Sequence, residues 1–118
     1  MPMVGSKFPP SSNDSLSLNA VSTGTGSALA FNDCRQVSWD VVVSGTASAG
    51  TMKIETNAES PSYSGTWHEL DSIDLTTLTG GAAYHGTYPG MLAWVRARLS
   101  ANVTGGGTTT ARLNGLLG

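Results

Sequence analysis

The sequence predicts an all-β fold, an antiparallel β-sandwich or jelly-roll-like domain, and three observations predict it. Apolar and polar residues alternate in several short runs, the two-residue period of a half-buried strand. Ser, Thr and Gly take the place of charged residues, which make up 12% of the chain against an average of about 25%. No stretch sets apolar residues at i, i+3, i+4 and i+7 among helix formers, so almost no helix is expected. The 118 residues are one domain's worth, with a core that buries about two-thirds of the unfolded surface. They divide into an extended Pro/Ser-rich N-terminal arm, residues 1–14, and a single β-sandwich domain, residues 15–118, of about six to eight strands.

Pro2, Pro9 and Pro10 keep the arm out of a helix and favour an extended, polyproline-like path. Residues 15–21 set Leu16 and Leu18 against Ser15, Ser17 and Asn19, a short strand that the run STGTGS at 22–27 breaks. Residues 35–44 are the clearest strand, with Val37, Trp39, Val41 and Val43 on one face and Ser38, Asp40 and Ser44 on the other. After a turn, residues 51–56 alternate again, Met52 and Ile54 inward and Lys53 and Glu55 outward, and the two strands are expected to form a hairpin. NAESPSYSG, residues 57–65, reads as a surface loop. Imperfect alternation in TWHELDSIDL, residues 66–75, points to a bulge near Asp71-Ser72. Residues 76–90 read as a long loop with one weak strand, and residues 91–118 as a final hairpin around Gly105-Gly106-Gly107, whose glycines permit positive φ. The expected core is Val37, Trp39, Val41, Val43, Met52, Ile54, Leu70, Val95, Ala97, Leu99, Ala111 and Leu113.

A net charge of −2 carries no electrostatic footprint for nucleic acid. No apolar run reaches the ~18 residues of a membrane span, and the N-terminus lacks a signal peptide's apolar stretch. Neither nucleic acid nor membrane is therefore expected as a partner, and synthesis in a cytosol is the simplest reading. Cys34 is the single cysteine, which excludes an internal disulfide and reads as a small buried thiol. His68-Glu69 begins a zinc-protease motif, but Ser72 stands where the second His is needed. His68 and His85, with Asp71 or Asp74, have no recognised metal spacing. Residues 71–74 lack the glycine and distal glutamate of a calcium loop and read as solvated turn carboxylates. No catalytic, cofactor-binding or metal residue is assigned, and the chain is read as no enzyme.

The strand from Met91 is different. Its odd positions, Met91, Ala93, Val95, Ala97 and Leu99, are apolar and are assigned to the core, which turns Leu92, Trp94, Arg96 and Arg98 outward. On the returning strand Thr109, Ala111 and Leu113 take the core side, so Arg112 is expected opposite Arg96 or Arg98. Three of the six basic residues then share a patch with a tryptophan, and Trp and Arg are favoured anchors of protein contacts. The expected contact residues are Trp94, Arg96, Arg98 and Arg112 on the sheet, Phe8, Pro9 and Pro10 on the arm, and Tyr63 in the loop.

The succession VSWDVVVSGTASAGTMKIE, SGTWHEL and VRARLSANVTGGGTTTARLNG resembles small all-β virion proteins of tailed bacteriophages, of the capsid decoration (cement) and head-fibre type. The resemblance implies a homotrimeric structural protein on the capsid exterior, assembled in the host bacterial cytoplasm. Its partner would be the major capsid protein, whose subunits it bridges to stabilise the shell, with the arm reaching a neighbour. The alternative is a carbohydrate-binding or adhesive module, tail- or fibre-associated, in which Trp67, Trp94, Tyr63, Tyr84 and Tyr88 offer stacking surfaces while Trp39 reads as core.

Overall fold

The computed structural model describes residues 15–116, and among them eight strands form two four-stranded antiparallel sheets packed face to face. The first sheet runs β1-β8-β3-β6, from β1 (Leu16–Val21), β8 (Thr108–Leu116), β3 (Gln36–Ser44) and β6 (Ala83–Tyr88). The second runs β2-β7-β4-β5, from β2 (Leu29–Ala30), β7 (Trp94–Thr104), β4 (Ala49–Asn57) and β5 (His68–Asp74). First strand pairs with last, second with seventh, third with sixth and fourth with fifth. That is one long hairpin rolled into a sandwich, the jelly-roll arrangement.

The roll overturns both expected hairpins. β3 and β4 lie in different sheets, as do β7 and β8, so residues 45–48 and 105–107 are arches from one layer to the other. A hairpin and an arch demand the same alternation, because each strand buries one face either way. The two arches lie side by side, with the Gly107 N–H donating to Thr46 O and the Ser48 N–H to Thr104 O, both at 2.8 Å. Gly105 and Gly106 do take positive φ, +98° and +91°, the left-handed region that glycine enters without strain.

Between the layers every expected core residue is buried except Leu70, which packs half-buried against the rest. Leu18, Phe31, Cys34, Ile73, Leu75, Leu78 and Val103 join them. Met91 departs from expectation: it is 70% exposed, because β7 begins only at Trp94. Leu92, expected outside, packs on the core instead.

Two devices close the long sides of the sandwich. On the β1/β2 side the chain itself does it. Residues 22–26 run along β7, where Val103 N–H donates to Ser22 O, Leu99 N–H to Gly24 O and Gly26 N–H to Ala97 O. The buried Ser17 hydroxyl donates to Ser27 O at 2.8 Å and accepts from Ala97 N–H at 2.9 Å, tying the two sheets together. On the β5/β6 side the seal is made of side chains. The β4–β5 register slips between Ile54↔Asp71 and Glu55↔Glu69, so Leu70 is the extra residue of a bulge at the place the sequence pointed to. The bulge lets Glu69 face out and Asp71 face in. Asp71 Oδ2 then accepts from Trp39 Nε1–H at 2.9 Å and from Tyr84 O–H at 2.7 Å, so Asp71 is no solvated turn residue. The carboxylate holds the Tyr84 phenol's pKa above its usual range. Gly86 makes room for the indole, since a Cβ there would lie 2.2 Å from Trp39 Nε1.

Candidate functional site

Outward positions of β4 and β7 meet across the second sheet, with Asn57 opposite Trp94, Glu55 opposite Arg96 and Lys53 opposite Arg98. Ile54 and Met52 face the core, so alternation turns Glu55 to the outside. Its side chain is nevertheless only 6% exposed, because two guanidinium groups cover it. Glu55 Oε1 accepts from Arg96 Nε at 3.1 Å and Arg98 Nε at 3.0 Å, and Oε2 accepts from Arg98 NH2 at 2.9 Å. Burial pushes the Glu55 carboxyl up, but the hydrogen bonds and charges of Arg98 and Arg96 together outweigh it and hold its pKa below the usual value. The same contacts raise the pKa of Arg98.

Above this triad the Arg96 guanidinium lies on the Trp67 ring, 3.8 Å from the centroid, a cation–π contact. Trp67 comes from the loop between β4 and β5, and a hydrogen-bonded frame positions it. The buried Asn57 side chain accepts from Glu59 and Ser60 N–H and donates to Ser60 O, which turns the chain. Trp67 Nε1–H then donates to Tyr63 O at 2.8 Å. Asn57, Ala58, Glu59, Tyr63, Thr66 and His68 line a shallow pocket of about 150 Å³ beside it. Next along the face, Lys53 pairs with Glu69 of β5. Three cations (Lys53, Arg96, Arg98) and two carboxylates (Glu55, Glu69) thus form a surface of ion pairs bordered by Tyr63, Trp67 and Trp94.

Trp94, Arg96 and Arg98 therefore share a face as expected, and the loop brings Tyr63 to it. Arg112 does not belong there. Because residues 105–107 cross between the layers, Arg112 sits on the outer face of the first sheet, opposite Asp40. Asp40 in turn hydrogen-bonds His85 Nδ1, which separates His85 from His68 on the other sheet. Phe8, Pro9 and Pro10 lie outside the described residues. Glu55 was missed as a site residue, and Trp67 was expected only as a sugar-stacking surface, not over an arginine. An outward glutamate on an alternating strand carried no sign of its partners, since those come from β7, about forty residues later in the sequence.

Among the described residues no helix is long and apolar enough to cross a membrane, and no group of three His, Cys, Asp or Glu side chains is placed to hold a metal ion. Comparison with family models, with curated proteins and with solved structures finds no match to this chain.

Proposed function

We propose that the chain is a non-catalytic structural protein that binds another protein through the outer face of the second sheet, and that it serves as a capsid decoration protein bridging coat subunits. One observation carries the contact reading: Arg96 and Arg98 are fixed on a single carboxylate beneath a tryptophan. A surface whose arginines are already ordered loses little conformational entropy when a partner arrives, and Trp and Arg are the side chains that anchor interfaces. Assignment to a capsid rests on the resemblance of the strand-and-turn succession, and jelly rolls are common in capsid domains. Many modest contacts repeated over a symmetric shell would add to a large stabilisation.

The sugar-binding alternative draws less support. The pocket, at about 150 Å³, is smaller than the ~300 Å³ at which ligand sites begin, and Arg96 occupies one face of Trp67. The test is to add purified protein to phage shells assembled without it. Co-sedimentation with the shells and a higher temperature of shell disruption are expected. A protein that stays in the supernatant, or a shell no more stable, overturns the capsid reading.

A further inference from the structure

Each sheet of a sandwich ends in strands whose backbone is paired on one side only, and such edges are sites of strand addition unless they are blocked. Three of the four edges here are blocked. β1 slips register twice and carries Ala20 at φ +52°. β2 is two residues long. β5 is bent by its bulge and bears Glu69, Asp71 and Asp74. β6 has none of these devices. It keeps unbroken register with β3 from Val37↔Tyr88 to Val42↔Ala83, and its sequence, AYHGTY, contains no Pro, Lys or carboxylate. Among the described residues its only backbone bond away from β3 is Gly90 N–H to Tyr88 O.

The exposed large apolar side chains gather at the same strand. Tyr88 ends β6, Met91 follows three residues later, and Val42 lies opposite Ala83 at the other end. Antiparallel addition of an identical strand would bring the Tyr84 end of one copy to the Tyr88 end of the other on the inner side of the sheet, opposite the buried Val41 and Val37, while Val42 and Ala83 lie on the outer side. We infer that the β6 edge is a self-association surface, on which a second copy of this chain adds its own β6 about a two-fold axis to make a continuous eight-stranded sheet. Residues opposite one another in an antiparallel ladder point to the same side, which restricts the register. Centred on Gly86, it sets Tyr84 against the partner's Tyr88 and His85 against the partner's Thr87, and it opposes no like charges. A closed trimer, as the resemblance implies, would need β6 to meet a different edge of the next copy, and those edges are the blocked ones.

The test is the mass of the full chain by light scattering behind a sizing column, beside the double variant His85→Lys/Thr87→Lys. Both positions are exposed, and the new charges would oppose one another across the axis. Wild type is expected at twice 12.1 kDa and the variant at half the wild-type mass, with an unchanged far-ultraviolet circular dichroism spectrum. Should the variant unfold, amide exchange on wild type decides: β6 amides slow as concentration rises and β5 amides do not. A monomeric or trimeric wild type, a folded variant that remains dimeric, or concentration-independent exchange in β6 overturns the inference. Loss of pairing would leave the shell-binding reading standing, because the two surfaces lie on different sheets.

Discussion

The outer faces of the two sheets carry the same kinds of side chain and hold them in opposite ways. On the second sheet Glu55 is 6% exposed beneath Arg96 and Arg98, with Trp67 laid over Arg96. On the first sheet Asp40 pairs with His85 and lies opposite Arg112, but the Asp40 and His85 side chains are 44% and 71% exposed, with serines and threonines of β3 and β8 around them. An acid and a base facing each other across a strand pair therefore make a structural element only when a loop covers them. The loop between β4 and β5 supplies that cover on one face, and among the described residues the connections of the first sheet supply none.

Removing the central charge of the second sheet should have the largest effect. Glu55→Gln leaves two partly buried guanidinium groups without their counter-ion, and the expected loss is about 3–5 kcal/mol, read from urea unfolding. A loss below 1 kcal/mol would put this face in the same class as the other. Trp67→Ala should cost about 1–2 kcal/mol through the cation–π contact and its packing, with Arg96 becoming more mobile by NMR relaxation. Asp40→Asn on the first sheet should change stability by about 0–1 kcal/mol, the range of exposed pairs.

Acid sharpens the same contrast. The folded-state pKa of Glu55 is depressed, so its contribution is complete above the ordinary glutamate value of about 4.3 and is lost as pH falls through the lower folded value. Melting temperature should fall on acidification below about pH 4, and Glu55→Gln should flatten that limb. An acid limb of equal steepness in the variant would assign the loss to other carboxylates.

Strands were legible in this sequence and their partners were not. Val37 to Val43 and Val95 to Leu99 announce buried faces through strict alternation, and the flaw in that alternation near Asp71 marked the bulge. Alternation says nothing about which strand lies alongside, so the triple glycine read equally well as a hairpin turn or an arch, and Arg112 was placed on the wrong sheet. Glu55 escaped notice for the same reason, since its burial is made by residues remote in sequence. Phe31 and Leu75 sit outside clear alternating runs and become core only when the roll closes over them.

Contact through the second sheet's outer face can be read without altering a residue, by hydroxyl-radical footprinting of shell-bound protein. Trp67 and Trp94 are expected to lose reactivity on binding while Val42, 39% exposed on the first sheet, keeps its own. Protection of Val42 with Trp67 and Trp94 unchanged would contradict the account.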